Sequence, residues 1–145
     1  MDKNITNRTQ KKAIVVIKGG FGNQLFQFAY ANYLKSLNFK VSLNLDFFKK
    51  QDPNSTPREI VLPINYFNLK EITIFEKFYQ RLVKNFFNNE SINYFKTFKG
   101  YEANLDETIK NNIFDGYWKK LEYLESQKKY LVSSLRKNQI LNASF

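Results

Sequence analysis

The run "AIVVIK" from Ala13 to Lys18 leads straight into "GGFGNQLFQFAYANYL", and this junction constrains the fold more than any other feature of the chain. A continuous β-branched stretch that stops at glycine is the pattern of a strand buried on both faces of a parallel sheet. From Asn23 to about Leu37 the spacing becomes helical: Phe26, Tyr30, Tyr33 and Leu37 share a face that Leu25, Phe28 and Ala29 widen. Lys40 to Asp46 then reads as a second strand, alternating at first and closing on a carboxylate. Strand, glycine turn, helix and strand make a βαβ unit.

The length bounds what can be built around that unit. With 145 residues the chain has one domain's worth of sequence, enough to withdraw about two-thirds of its unfolded surface from water. Cysteine and histidine are both absent. Disulfides, thiolate or imidazole metal sites and Ser-His-Asp catalysis are thereby excluded, and acid–base work falls to carboxylates, lysines and tyrosines. The formal charge of +10 suits an anionic partner, yet the cations are dispersed and mostly lysine in an Asn-, Ile- and Phe-rich chain. Dispersion argues for a composition bias over a nucleic-acid footprint, so no nucleic-acid partner is expected.

The opening "MDKNITNRTQKK" is polar and "AIVVI" is too short for a signal-peptide core, which reads as a cytoplasmic chain. Residues 1–12 are expected to be a disordered tail, 13–137 the folded domain and 138–145 a second tail. Asp52 to Pro63 carries every proline and reads as a loop, touching the sheet through Ile60 to Leu62. After it, Ile72, Phe75, Phe78, Tyr79, Leu82, Val83, Phe86 and Phe87 line one side of an amphipathic helix, with Glu76, Lys77, Gln80, Arg81, Lys84 and Asn85 opposite. A stripe of this kind faces the core, although a basic amphipathic helix is also able to lie on an anionic membrane. Asn93 to Phe98 and Ile113 to Trp118 are further strand candidates, and Leu121 to Leu135 is helical, with "RKNQILNASF" unstructured after it.

Bare backbone between a parallel strand and a helix has a chemical use. Gly19, Gly20 and Gly22 are able to take positive φ and admit a ligand to the main chain, while the N–H groups and dipole of the following helix attract an anion such as phosphate. The stretch "GFGNQL" matches the first two glycines of the dinucleotide fingerprint G-x-G-x-x-G, with Leu25 at the third. Asp46 follows at the distance where a dinucleotide fold binds ribose. The competing reading is a tight turn that only lets strand and helix pack, with Asn23 as helix N-cap and Asp46 as a turn residue.

Two stretches together resemble one family. "GGFGNQLFQFAY" is similar to the G-G-L-G-N-Q-M-F-Q-Y-A motif of the alpha-1,2-fucosyltransferases, glycosyltransferase family 11, and "FDGYWKKLEYL" resembles their later G-Y-W-Q-S-x-K-Y-F segment. "VSLNLDFF" and "REIVLPINYF" look like the intervening pieces, in the same order. The resemblance implies a Rossmann-like N-terminal domain of a GT-B-like glycosyltransferase, α/β, three-layer, with a mainly parallel sheet. It implies transfer of L-fucose from GDP-fucose to the 2-hydroxyl of a galactose-containing acceptor, in a bacterial surface glycan, with inversion and without metal or other cofactor.

On that resemblance Gly20, Phe21, Gly22, Asn23 and Gln24 line the cleft near the donor diphosphate, and Tyr117 and Trp118 are either a sugar-stacking pair or core. Lys119 and Lys120 depart from the family's Gln and Ser. The catalytic base is open among Asp46, Glu59, Glu102 and Asp115, with Asp46 best placed at a strand end. The family's H-x-R-R-x-D segment requires histidine, so these 145 residues do not contain it. The expectation is therefore an N-terminal half, with the C-terminal domain as functional partner, inactive by itself. The alternatives are a non-catalytic remnant and a basic nucleotide- or membrane-binding module, with peripheral contact at the inner membrane.

Overall fold

The structure is a computed structural model that describes residues 10–62, 64–86, 92–97 and 111–142. Its centre is a five-stranded sheet in the order β3-β2-β1-β5-β4, formed by β1 (Lys12–Val16), β2 (Lys40–Asn44), β3 (Lys70–Glu71), β4 (Ile92–Thr97) and β5 (Asn111–Gly116). Every pairing is parallel. The α/β class with a parallel sheet, read from the first forty residues, is what the chain adopts. The helices are α1 (Phe21–Ser36), the short α2 (Asp46–Lys49), α3 (Ile74–Phe86) and α4 (Leu121–Asn142), with a 3-10 turn at Ile64–Phe67. No helix among the described residues is long and apolar enough to cross a membrane.

Strand register explains which face of the sheet holds the core. Ala13 stands beside Val41 and Asn112, and Val15 beside Leu43 and Phe114. These side chains, with Ile17, meet Phe28, Ala29, Tyr30, Ala31 and Leu34 of α1 and Leu131 of α4 in one cluster. The opposite face is largely polar, because alternation in "KVSLN" puts Lys40, Ser42 and Asn44 beside Lys12, Ile14 and Val16. Among the described residues, Ile113 and Val16 pack together there as a small second cluster.

That polar face overturns the expectation for the amphipathic helix. α3 comes over it with Ile74, Phe75, Phe78, Tyr79 and Leu82 outward, Ile74 and Phe75 being 82% and 87% exposed. The side turned inward is polar. Lys77 Nζ reaches Asp46 Oδ1 at 2.6 Å and Glu71 Oε1 at 3.4 Å, and Lys49 pairs with Glu71 as well. Thr73 and Glu76 close a reciprocal capping box: the Thr73 N–H donates to Glu76 Oε2 at 2.8 Å and the Glu76 N–H to Thr73 Oγ1 at 3.2 Å. This sheet face mixes Lys12, Lys40, Ser42 and Asn44 with Ile14, Val16 and Ile113, and the ion pairs on the reverse of α3 hold its apolar stripe outward.

Other boundaries also differ from the sequence expectation. Lys12 already belongs to β1, and the Ile17 N–H extends the ladder to Asn44 O at 2.9 Å. Residues 1–9 and 143–145, Phe87, Phe98 and Glu102 lie outside the described residues. β3 is only two residues long and had no sequence signature. The stretch expected to be unstructured after Leu135 continues α4 to Asn142. Ile60 to Leu62 form no strand; Leu62 enters the core and the Val61 N–H donates to Gln24 Oε1 at 2.9 Å.

Candidate functional site

The order of strands reverses at β1, whose chain neighbour β2 lies on one side and β5 on the other. Open parallel sheets place ligands in the crevice outside the carboxyl ends of such a pair. The residues found at that point are Lys18, Gly19 and Gly20 after β1, and Asp115, Gly116 and Tyr117 at the end of β5.

Of the three glycines, only Gly19 takes positive φ, at 81°. Glycine is needed there for conformation; a side chain would meet the tip of Asn23 at 2.7 Å from Nδ2, which that side chain can vacate. Gly20 is the N-cap of α1 with φ −80° and ψ 179°, and no side chain caps the helix. A methyl group on Gly20 would meet the tip of the exposed Arg58 side chain, 3.3 Å from Nη1. Gly22 sits inside the first turn without positive φ, and a side chain there would enter open space. The helix begins two residues earlier than expected, which makes Asn23 a first-turn residue and removes its N-cap role.

The mouth of α1 is electrically uncompensated. The Gln24 N–H is the first to bond back, to Gly20 O at 3.0 Å, leaving the amides of Phe21, Gly22 and Asn23 without an intrahelical acceptor. The first turn contains no acidic residue. A 16-residue helix with a bare amino end presents partial positive charge there. Beside Gly19 opens a cleft of about 440 Å³ that Lys50 and Arg58 line with cations and Ser55 and Thr56 with hydroxyl-bearing side chains; Asp52 is its acidic member. Gln51 holds the loop closed by donating to Arg58 O and accepting from the Arg58 N–H at 2.6 Å, while Asp52 Oδ1 accepts the Asn54 N–H at 2.8 Å. Nothing local in the sequence marks Arg58, which sits in the Asp52–Pro63 loop beside the candidate Glu59, or Lys50, which precedes that loop.

Two glutamines of α1 lock the turn from beneath. Gln24 is fully buried, so its side chain does not line the cleft; it donates to Gly19 O at 3.0 Å and Glu59 O at 2.7 Å and accepts the Val61 N–H. Gln27, equally buried, accepts the Lys18 N–H at 3.0 Å and donates to Gly116 O at 2.9 Å. The first fastens the glycine turn to the Arg58 loop and the second fastens the ends of β1 and β5. Gln27 was missed, although a polar residue three positions after Gln24 in so apolar a helix was a visible signal.

On the β5 side, Lys18 Nζ pairs with Asp115 Oδ1 at 2.5 Å, and the Tyr117 ring lies between Lys18 Nζ at 5.4 Å and Lys119 Nζ at 5.2 Å. Trp118 does not join Tyr117 as a stacking platform. It is fully buried, parallel to Tyr30 at 4.6 Å and edge-on to Phe114 at 5.5 Å, so of the two readings the core one holds. Tyr30, whose phenol burial pushes far above its usual range, is unavailable for proton transfer.

Asp46 follows the carboxyl end of β2, beside β1, but is ill suited as a base. It opens α2 and its carboxylate is bound by Lys77; that hydrogen bond, reinforced by the charges of Lys77, Lys49 and Lys50, holds it below the usual carboxylate range. A depressed pKa weakens a proton acceptor. Glu59 is exposed on the loop, its backbone carbonyl accepting from Gln24, and Asp115, paired with Lys18, and Asp52, in the cleft, are the carboxylates that the fold brings near the glycine turn. Among the described residues no three carboxylates gather as a metal-binding group. Comparisons with protein-family models, curated proteins and solved structures each return no match to this chain.

Proposed function

We propose that this Rossmann-like domain is one half of the cleft of a galactoside alpha-1,2-fucosyltransferase, holding the donor diphosphate at the mouth of α1. The observation that carries the reading is the uncapped start of α1, with Gly19 at positive φ and Arg58 over Gly20, at the reversal point of a parallel sheet. The motif resemblance from Gly19 to Tyr30 supplies the substrate class.

Departure of GDP from an oxocarbenium-like fucose builds negative charge on the β-phosphate. N–H groups and a guanidinium fixed beforehand stabilise that charge without reorganising, and loss of one such donor typically costs about 3–4 kcal/mol of barrier. Phe21, Gly22 and Asn23 offer the amides, Arg58 and Lys50 the cations, and Tyr117 an apolar surface for a sugar. Two carboxylates stand near this geometry as candidates to accept the proton of the attacking hydroxyl: Asp115, paired with Lys18 at the end of β5, and Asp52 in the cleft itself. The H-x-R-R-x-D segment that the resemblance assigns to the opposite side of the cleft must come from other sequence.

The test is transfer to a galactoside by this domain joined to a half that carries that segment, assayed with GDP-fucose and GDP-mannose, with and without EDTA. Fucose transfer undiminished by EDTA and selective against mannose is expected. Transfer abolished by EDTA, or no transfer, would overturn the reading, and the second outcome accompanied by GDP binding would leave a nucleotide-binding module.

A further inference from the structure

We infer that the outward face of α3, with the lysines at the amino ends of the strands, is a docking surface for an anionic phospholipid bilayer. Ile74, Phe75, Phe78, Tyr79 and Leu82 form an exposed apolar stripe on a helix whose inward side is tied down by Lys77 to Asp46 and Glu71. An apolar face held outward by ion pairs on its reverse is the arrangement of an interfacial helix, which lies in the headgroup plane with its apolar side down.

Charge selects the occupant. Phe75 and Tyr79 line a cavity of about 320 Å³ that Lys12 and Lys40 also line, and the register sets those two lysines directly side by side. Lys70 begins the next strand, and Arg81 is exposed on α3 itself. Among the described residues no carboxylate pairs with Lys12, Lys40, Lys70 or Arg81. Glu76, the acidic residue of the cavity, is engaged by the Thr73 N–H. A second copy of this chain docking by two-fold symmetry would bring the same lysines of both copies toward one interface, where they repel. A bilayer of anionic lipid meets both halves of the surface at once: acyl boundary for the aromatics, headgroup phosphates for the cations. The inference stands apart from the proposed transfer reaction, because the glycine turn lies at the carboxyl ends of the same strands.

The experiment is flotation of the 145-residue chain with vesicles of phosphatidylcholine alone and of phosphatidylcholine mixed with phosphatidylglycerol. At low salt the bound fraction on the anionic vesicles should exceed that on the neutral ones by at least about tenfold, and raising the salt several-fold should remove it. F75E/F78E and, separately, K12E/K40E should each abolish binding with unchanged circular dichroism, whereas R58E, at the other end of the strands, should leave it intact. A Trp in place of Phe78 (F78W) should shift its emission to the blue on the anionic vesicles. Equal binding to both vesicles, indifference to F75E/F78E, or loss in R58E matching that in K12E/K40E would overturn the inference. So would self-association that F75E/F78E abolishes in a chain that binds no vesicle.

Discussion

Trp118→Ala is expected to lower the stability of the domain by about 3–5 kcal/mol, the range for removing a large aromatic from a core. The ring is fully buried and bridges three elements: it stacks on Tyr30 of α1, meets Phe114 of β5 edge-on, and through Tyr30 reaches Tyr123 of α4 at 4.8 Å. Alanine inherits the left-handed φ of 49° at this position, so that strain of about 1–2 kcal/mol is unchanged by the substitution, but one feature of Trp118 moderates the loss. Its Nε1 is buried without a hydrogen-bond partner, so its removal lifts a penalty of about 1–3 kcal/mol, which places the expected value near the lower end. Against a typical total of 5–15 kcal/mol the urea midpoint should fall markedly. A loss under about 1 kcal/mol would show that the ring is not part of the core.

Gln27→Leu should cost a comparable amount for a different reason. Leucine approximates the volume but strands the Lys18 N–H and the Gly116 carbonyl in a buried setting, at about 1–3 kcal/mol for each unsatisfied group. The effect has a location as well as a size. Because Gln27 ties the ends of β1 and β5, the amide resonances of Lys18, Gly19 and Gly116 should move while those of α4 stay. Unchanged stability, or shifts spread evenly over the domain, would show that this glutamine does not position the crevice.

What was legible in the sequence was what neighbouring residues decide together. β1, α1 and β2 follow from a β-branched run, a glycine break and a helical period, all within thirty-odd residues. α3 was legible as a helix and illegible as a layer, since a hydrophobic stripe states which face is apolar without stating what it meets. The missing information lay in "KVSLN", whose alternation already declares one side of the sheet polar. The same limit hid the site's supports. Gln24 and Gln27 stand out as polar residues in an apolar helix, but their partners Glu59, Val61 and Gly116 lie 35, 37 and 89 positions away. Arg58 is one exposed cation in a proline-rich loop until Gln51 and Gln24 fold that loop back on the glycine turn. Asp46 drew notice for its place at a strand end, and Lys77, thirty-one residues on, is what neutralises it.

If the mouth of α1 cradles a diphosphate, a titration of the isotopically labelled 145-residue chain with GDP-fucose, read amide by amide, should show it. Shifts should then be confined to Lys18–Asn23, Asp115–Tyr117 and the Arg58 loop, with a dissociation constant near millimolar, about −4 kcal/mol, as for a donor held from one side only. Arg58→Glu should remove them. Gly22→Leu should remove them too while the domain stays folded, since a side chain at Gly22 points into open space and leucine is the better helix former. Amides of Gly19–Asn23 that stay in place while others move, or a micromolar constant, about −8 kcal/mol, that survives both substitutions, would show that the mouth of α1 holds no diphosphate.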